Sequence, residues 1–228
     1  ADGSLAWLVT LCAGAGWFLG FLPAAVANAI AATPGCCLTG SGAPLGFADP
    51  QGDGHAISGR WPYASGAPLA THFTFNAVLR EGGEPVRGAG GQPRVRSFVA
   101  PASAVRVERT WQAMGLRASG THEFCIDSLW VPHSHSFDVS EGAVAPGPLF
   151  RFPFAGLAYA TLAANVGGMA RGFLGHAAPL LAHRASQGRS TAQAERDALE
   201  EAREQSYRVL DAAWAQVSGS HGIVDEAA

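Results

Sequence analysis

The sequence predicts an α+β protein: helix first, then a β region of about a hundred residues, then helices. Three changes of texture predict it. Between Asp2 and Asp49 there is no charged residue, and 5–22 is almost continuously apolar. Over 36–139, apolar pairs alternate with Gly, Pro and Ser clusters every ten or so residues, the pattern of short strands joined by turns. Beyond 148 the chain is rich in Ala, Gly and Leu with apolar residues at helical spacing.

The first element is a helix within 5–22. It is long enough to span a bilayer. Gly14, Gly16, Gly20 and Pro23 argue against a span, as does the absence of flanking arginines that would set its orientation. Without a basic n-region it does not read as a signal peptide either. A helix apolar all round must be covered on every side, so burial in a larger assembly is expected, without a membrane.

Strands are expected at 38–41, 46–49, 55–61, 71–80, 94–100, 105–112 and 122–131. In "THFTFNAVL", Phe73, Phe75, Ala77 and Leu79 share one face, with His72, Thr74, Asn76 and Val78 on the other. Trp61 and Tyr63 likewise share a face. The glycine-rich stretch 81–94 reads as a long, mobile connection.

A helix follows over 156–183, with Leu162, Val166, Met169, Phe173, Ala177 and Leu180 at helical spacing. Gly167, Gly168, Gly172 and Gly175 cost helix propensity, so a close neighbour is expected there. Pro179 should kink the helix. A second helix, 191–217, places Leu199, Ala202, Leu210, Ala213 and Val217 on one face. Arg196–Glu200 and Glu204–Arg208 form i,i+4 pairs on the other. Gly219 and Gly222 fit its stop.

Composition bounds the function. Hydrophobic residues are 48% and charged residues 14%, enough apolar material for a sizeable core. A net charge of −3 gives no electrostatic case for nucleic acid or an anionic membrane. All fifteen cationic residues are arginine, which excludes a Schiff-base lysine. Cys12, Cys36, Cys37 and Cys125 match no zinc spacing and point to a reduced, cytoplasmic protein. His133 and His135 form an H-x-H without a third ligand, so no metal is expected.

Chemistry concentrates in three stretches. "SGRWPYASG" (58–66) sets two aromatics before a run of small residues. Ser65 offers one hydroxyl that can donate or accept, which suits a redox-active ring whose reacting nitrogen gains and loses a proton. The plainer alternative is a strand end with two core aromatics and a Ser-Gly turn. "LTGSGAPLGFA" (38–48) has amides and hydroxyls that can line polar ring edges or phosphate oxygens. "WQAMGLRASGTHEFCIDSLWVP" (111–132) repeats the theme of an aromatic followed by small polar residues.

In this order and separation, the three stretches resemble the acyl-CoA dehydrogenase superfamily, nearest its flavin-dependent monooxygenases, the oxygenase components of two-component aromatic hydroxylases. "GSLAWL" (3–8) and "LAANVGGMARGFLGHA" (162–177) also fit. The resemblance implies the end of an N-terminal helical domain (1–34), a β-barrel domain (35–142) and part of a C-terminal helical bundle (148–228). It implies FMN or FAD supplied reduced by a flavin reductase, a phenolic or other aromatic small-molecule substrate, and a homo-oligomer, dimer or tetramer. Ser65 falls beside the flavin N5 and would protect a C4a-(hydro)peroxide. Tyr63 falls where an aromatic covers the ring, and Thr39, Gly40 and Ser41 along the flavin edge or phosphate side. Arg184 resembles an arginine that reaches a flavin phosphate, and Trp7 an aromatic near the substrate pocket. No glutamate matches the base of the dehydrogenases, and Thr39-Gly40-Ser41 replaces their Thr-Glu-Pro pattern, which favours the hydroxylases. Family members continue beyond both ends of this sequence. The remaining alternatives are a shortened, non-catalytic flavin-fold binding protein and an acyl-CoA dehydrogenase-type enzyme.

Overall fold

The structure, a computed structural model, describes residues 2–186, 193–195, 197–198, 200–209 and 211–212. It divides into two compact units: Trp7–Pro153, and Ala1–Ala6 with Phe154–Ala228.

The larger unit is built on one mixed sheet. Its strands are β1 (Leu38–Gln51), β2 (Gly54–Ala64), β3 (His72–Glu81), β4 (Glu84–Pro85), β5 (Val95–Pro101), β6 (Arg106–Glu108), β7 (His122–Pro132) and β8 (Ser136–Phe137). They run in the order β6-β7-β2-β1-β3-β5-β8, with β4 pairing to β3. β1 and β3 are parallel; the other ladders are antiparallel. Helices plus a mixed sheet make the α+β expectation correct. The sheet is not closed, since no ladder joins β6 to β8 among the described residues, so a barrel is not shown.

The period-2 pattern of β3 sets the core. Phe73, Phe75 and Ala77 are buried, as expected, and Leu79 packs at the edge. They meet Trp61 of β2, Phe98 of β5 and Phe124 of β7. Trp61 stacks on Phe124 with ring centroids 5.2 Å apart and lies 4.8 Å from Phe75. Each fully buried Phe contributes about 1.5–3 kcal/mol relative to exposure. The Trp61 indole donates to the carbonyl of Asn76 at 2.8 Å, which satisfies its buried N–H. Glycine is required beside it. A Cβ on Gly46 would lie 2.0 Å from the Trp61 ring, and one on Gly59 2.6 Å.

Several boundaries differ from expectation. The segments 38–41 and 46–49 form one fourteen-residue strand, because 42–45 is a register shift against β3 rather than a break. The expected strand 105–112 keeps only Arg106–Glu108. Trp111 leaves the sheet, its backbone N–H donating to His122 Nδ1 and its indole to Leu116 O. The stretch 81–94 is tied down, not loose. β4 pairs with β3, Val86 N–H donates to Leu79 O, Arg94 N–H to Val86 O and Gly88 N–H to Gln92 O.

The apolar N-terminal segment forms α1 (Gly3–Trp17), a 3-10 turn (Phe18–Phe21) and α2 (Ala24–Ala31). Asp2 caps α1 by accepting from the N–H groups of Ser4 and Leu5. By length and composition Gly3–Phe21 could cross a membrane. The C-terminal end of this segment packs on the sheet unit, while Leu5 and Val9 stay exposed. Phe18 and Phe21 pack on Phe137 of β8 at centroid distances of 5.6 and 6.1 Å, and the Trp17 indole donates to Leu149 O at 3.0 Å. The short helix α3 (Pro148–Arg151) ends this unit.

In the second unit, α4 (Phe154–Ser186) runs on through Pro179. Arg171 and Arg203 lie over the Tyr207 ring at 4.5 and 5.6 Å. Arg203 pairs with Glu200, in place of the expected Glu204–Arg208. Among the described residues nothing lies within 4 Å of a Cβ built on Gly168, Gly172 or Gly175, whereas Gly167 is buried. Leu162, Val166, Phe173 and Leu180 are exposed, while Leu174 and Asn165 are buried. Arg196, Leu199, Leu210, Ala213, Val217, Gly219 and Gly222 lie outside the described residues.

Candidate functional site

The β1–β2 ladder ends at Gly46↔Gly59. Beyond it, Leu38–Ser41 pairs with β3 while Arg60–Ala64 pairs with β7. The two strands therefore part, leaving peptide edges of 42–45 outside both ladders. A side chain spans the gap: Thr39 Oγ1, buried, donates to the carbonyl of Ser65.

β2 is distorted where it leaves its neighbour. Tyr63 adopts φ 65°, in the left-handed region, and the β2–β7 register shifts between Trp61 and Ala64. Strand alternation is broken there. Trp61 is fully buried and Tyr63 is 71% exposed, so the two aromatics do not share a face. A bulky residue at positive φ costs roughly 1–2 kcal/mol, so the surroundings must hold it.

Ser65 and Gly66 follow. Gly66 has φ 80°, and its N–H donates to Ser119 O at 2.8 Å. A Cβ on Gly66 would lie 3.1 Å from Leu8 and 3.2 Å from Cys12 Sγ, so α1 packs directly on this turn. Ser65 is buried at 4% exposure. Its Oγ accepts from the Trp7 indole N–H at 2.9 Å and lies 2.9 Å from Thr121 Oγ1. Thr121 Oγ1 is 2.6 Å from Ser119 Oγ.

The structure thus brings Trp7, Thr39, Tyr63 and Ser65 to one place. Gly40 and Ser41 continue along β1 beside them. A Cβ on Gly40 would fall 1.9 Å from Thr74 O, so that glycine is needed for the β1–β3 pairing itself. Arg184 is exposed in the last turn of α4, in the other unit. Ser119 and Thr121 are the site residues that sequence reasoning did not name. The available signal was the small-polar run Ser119-Gly120-Thr121, which follows an aromatic as Ser65 does.

A hydroxyl has one donor and two acceptor positions. Ser65 spends two of its three on Trp7 and Thr121, leaving one. Tyr63, two residues before it, is exposed, as is Leu45 in the stretch of β1 where the strands part. This set fits a flat ring with an apolar face and a polar edge, such as a flavin. The polar side chains around Ser65 are hydroxyls and an indole N–H, none of which titrates near neutral pH.

The Cys12 thiol beside Gly66 is a poor nucleophile. The Cys12 thiol is pushed up to about 12 by burial, then by its hydrogen bond to Cys37 and the Cys37 charge. His133 and His135 sit in a 3-10 turn after β7, and His133 meets His55 edge-on at 4.9 Å. No group of three candidate metal ligands occurs among the described residues.

No family model matches the chain. It is 27% identical over 206 residues to the flavin-dependent monooxygenase oxygenase subunit HsaA of Rhodococcus jostii, covering 83% of this chain and 50% of that protein. It is 31% identical over 133 residues to the oxygenase component of a FADH(2)-dependent resorcinol hydroxylase of a Rhizobium species, covering 58% of this chain and 31% of that one. Its fold matches the crystal structure of 3-HSA hydroxylase from Rhodococcus sp. RHA1 with a TM-score of 0.80 at 21% identity, covering 98% of this chain and 58% of that one. The chain spans about half the length of the curated relatives it matches.

Proposed function

We propose, for a chain that is a homologue of flavin-dependent monooxygenase oxygenase components and shares their acyl-CoA dehydrogenase-like fold, that it forms the flavin-facing part of such an oxygenase. One observation carries the reading: the buried Ser65 hydroxyl, with one hydrogen-bond position unspent, where β1 and β2 part. Reduced FMN or FAD from a separate reductase would supply two electrons to O2. One oxygen atom then enters a phenolic or other aromatic substrate and the other leaves as water.

The residues divide that work. Ser65 holds the proton at the reacting ring nitrogen, as donor or as acceptor. Tyr63 covers the ring, since its left-handed backbone keeps the phenol out of the core. Thr39 fixes the Ser65 carbonyl, and Gly40 and Ser41 line the ring edge or phosphate side. Trp7 borders the substrate pocket with its N–H committed to Ser65, and Arg184 reaches a phosphate. We read 1–34, 35–142 and 148–228 as the end of a helical domain, a β domain and part of a helical bundle. The exposed stripe Leu162, Val166, Phe173 and Leu180 supports association with further copies.

The test is titration of the purified chain with oxidised and reduced FMN and FAD, followed by flavin fluorescence. Binding of at least one form is expected; failure of all four would overturn the reading. Ser65→Ala should then release hydrogen peroxide faster from the reduced, oxygen-exposed complex, by about fivefold for the loss of one hydrogen bond of roughly 1 kcal/mol. An unchanged release rate would remove Ser65 from that role.

A further inference from the structure

We propose that Thr121 and Ser119 are positioning residues that set which way the Ser65 proton points. The inference rests on the reading of Ser65 as the flavin-facing hydroxyl.

The geometry is a continuous chain: Trp7 Nε1 to Ser65 Oγ at 2.9 Å, Ser65 Oγ to Thr121 Oγ1 at 2.9 Å, Thr121 Oγ1 to Ser119 Oγ at 2.6 Å. The three hydroxyl residues are buried, at 4%, 7% and 1% exposure, so bulk water does not compete for these bonds. One end has a fixed polarity. An indole N–H can only donate, so Ser65 must accept there.

The Ser65 proton then has two destinations. If it points to Thr121, Thr121 donates onward to Ser119, and Ser65 faces the ring as an acceptor. If Ser119 donates to Thr121 and Thr121 to Ser65, the Ser65 proton is free to donate to the ring. Three hydroxyl rotations interconvert the states with no heavy atom moving. No proton is gained or lost. A ring nitrogen that carries a proton in one redox state and none in the other is matched by this device in both.

The backbone holds the chain in register. Gly66 N–H donates to Ser119 O, which joins the Ser65 turn to the Ser119 loop. That loop is tight, with Leu116 at φ 51° and Gly120 at φ 54°. A Cβ on Gly120 would lie 3.0 Å from Pro68, so this loop packs on the turn beyond Ser65.

Thr121→Val keeps the shape and removes the hydroxyl; Thr121→Ser restores it. The first readout uses the full chain without flavin. The Trp7 indole N–H resonance is assigned with Trp7→Phe and followed in 15N-labelled protein. Thr121→Val should shift it and Thr121→Ser should return it toward wild type, because Ser65 becomes free to reorient. The second readout is peroxide release with reduced flavin, expected to rise about threefold to tenfold in Thr121→Val, and to fall back in Thr121→Ser. Should Thr121→Val not fold, Ser119→Ala tests the far end and should shift the same resonance in the same direction. If Ser65→Ala changes peroxide release while Thr121→Val and Ser119→Ala leave both readouts at wild type, the positioning role is overturned and the function stands. If Ser65→Ala itself changes nothing, the flavin-facing reading fails, and this inference with it.

Discussion

At the scale of the residue, β2 turns on two neighbouring aromatics with opposite fates. Trp61 is fully buried with its N–H bonded to Asn76 O, and Tyr63 is exposed at φ 65°. Trp61→Ala should cost about 3–5 kcal/mol in chemical denaturation, the range for a large buried aromatic. Tyr63→Gly should change stability by less than about 1 kcal/mol. Glycine relieves the left-handed strain but adds a similar entropy to the unfolded chain. The same variant should weaken flavin binding in a fluorescence titration. If it unfolds the protein instead, Tyr63 is a structural residue. The sequence put both aromatics on one face because period-2 alternation is the default for a strand. The positive φ that reverses it was not legible, since Tyr is an unusual residue at such a position.

At the scale of the element, the site exists because a ladder stops. The β1–β2 ladder ends at the Gly46↔Gly59 pairing, where the Trp61 ring fills the space that two Cβ atoms would take. Gly46→Ala should lower stability by roughly 1–3 kcal/mol through overpacking, since a rigid indole cannot yield as a flexible chain end would. Thermal melts check this, and a variant as stable as wild type would show that the ring has room to shift. "LTGSGAPLGFA" marked this region as special by composition, although it reads as two strands and a loop. Only the pairing with β3 shows one strand with a register shift, because register depends on a partner distant in sequence.

At the scale of the whole molecule, histidines make the sheet unit sensitive to acid. His55 is buried with Nδ1 unpaired, and its pKa is lowered by burial first, then by the charges of His133 and Arg96. Burial, then His135, lowers His72; burial lowers His135. A lowered histidine binds fewer protons folded than unfolded, so stability is complete above about pH 6.5 and is lost as pH falls through the folded values. The melting temperature should drop between pH 7.5 and 5.5, and His55→Phe should make that drop smaller. A melting temperature independent of pH would count against the unpaired, neutral His55.

Composition and periodicity by themselves determined the α+β class, the apolar first helix, the β3 core face and the long α4, because these follow from local spacing of apolar residues. The ordered trio of Gly/Ser-rich stretches carries the resemblance to flavin-dependent monooxygenases, and it is that resemblance which implies a flavin beside Ser65. Only the tertiary structure decided that the sheet stays open, that Tyr63 leaves the core, and that Trp7, Thr121 and Ser119 converge on one hydroxyl. Ser65 and Thr121 are 56 residues apart in the chain. Their contact comes from strand pairing between β2 and β7, and no local spacing encodes which hydroxyls such pairing will bring together.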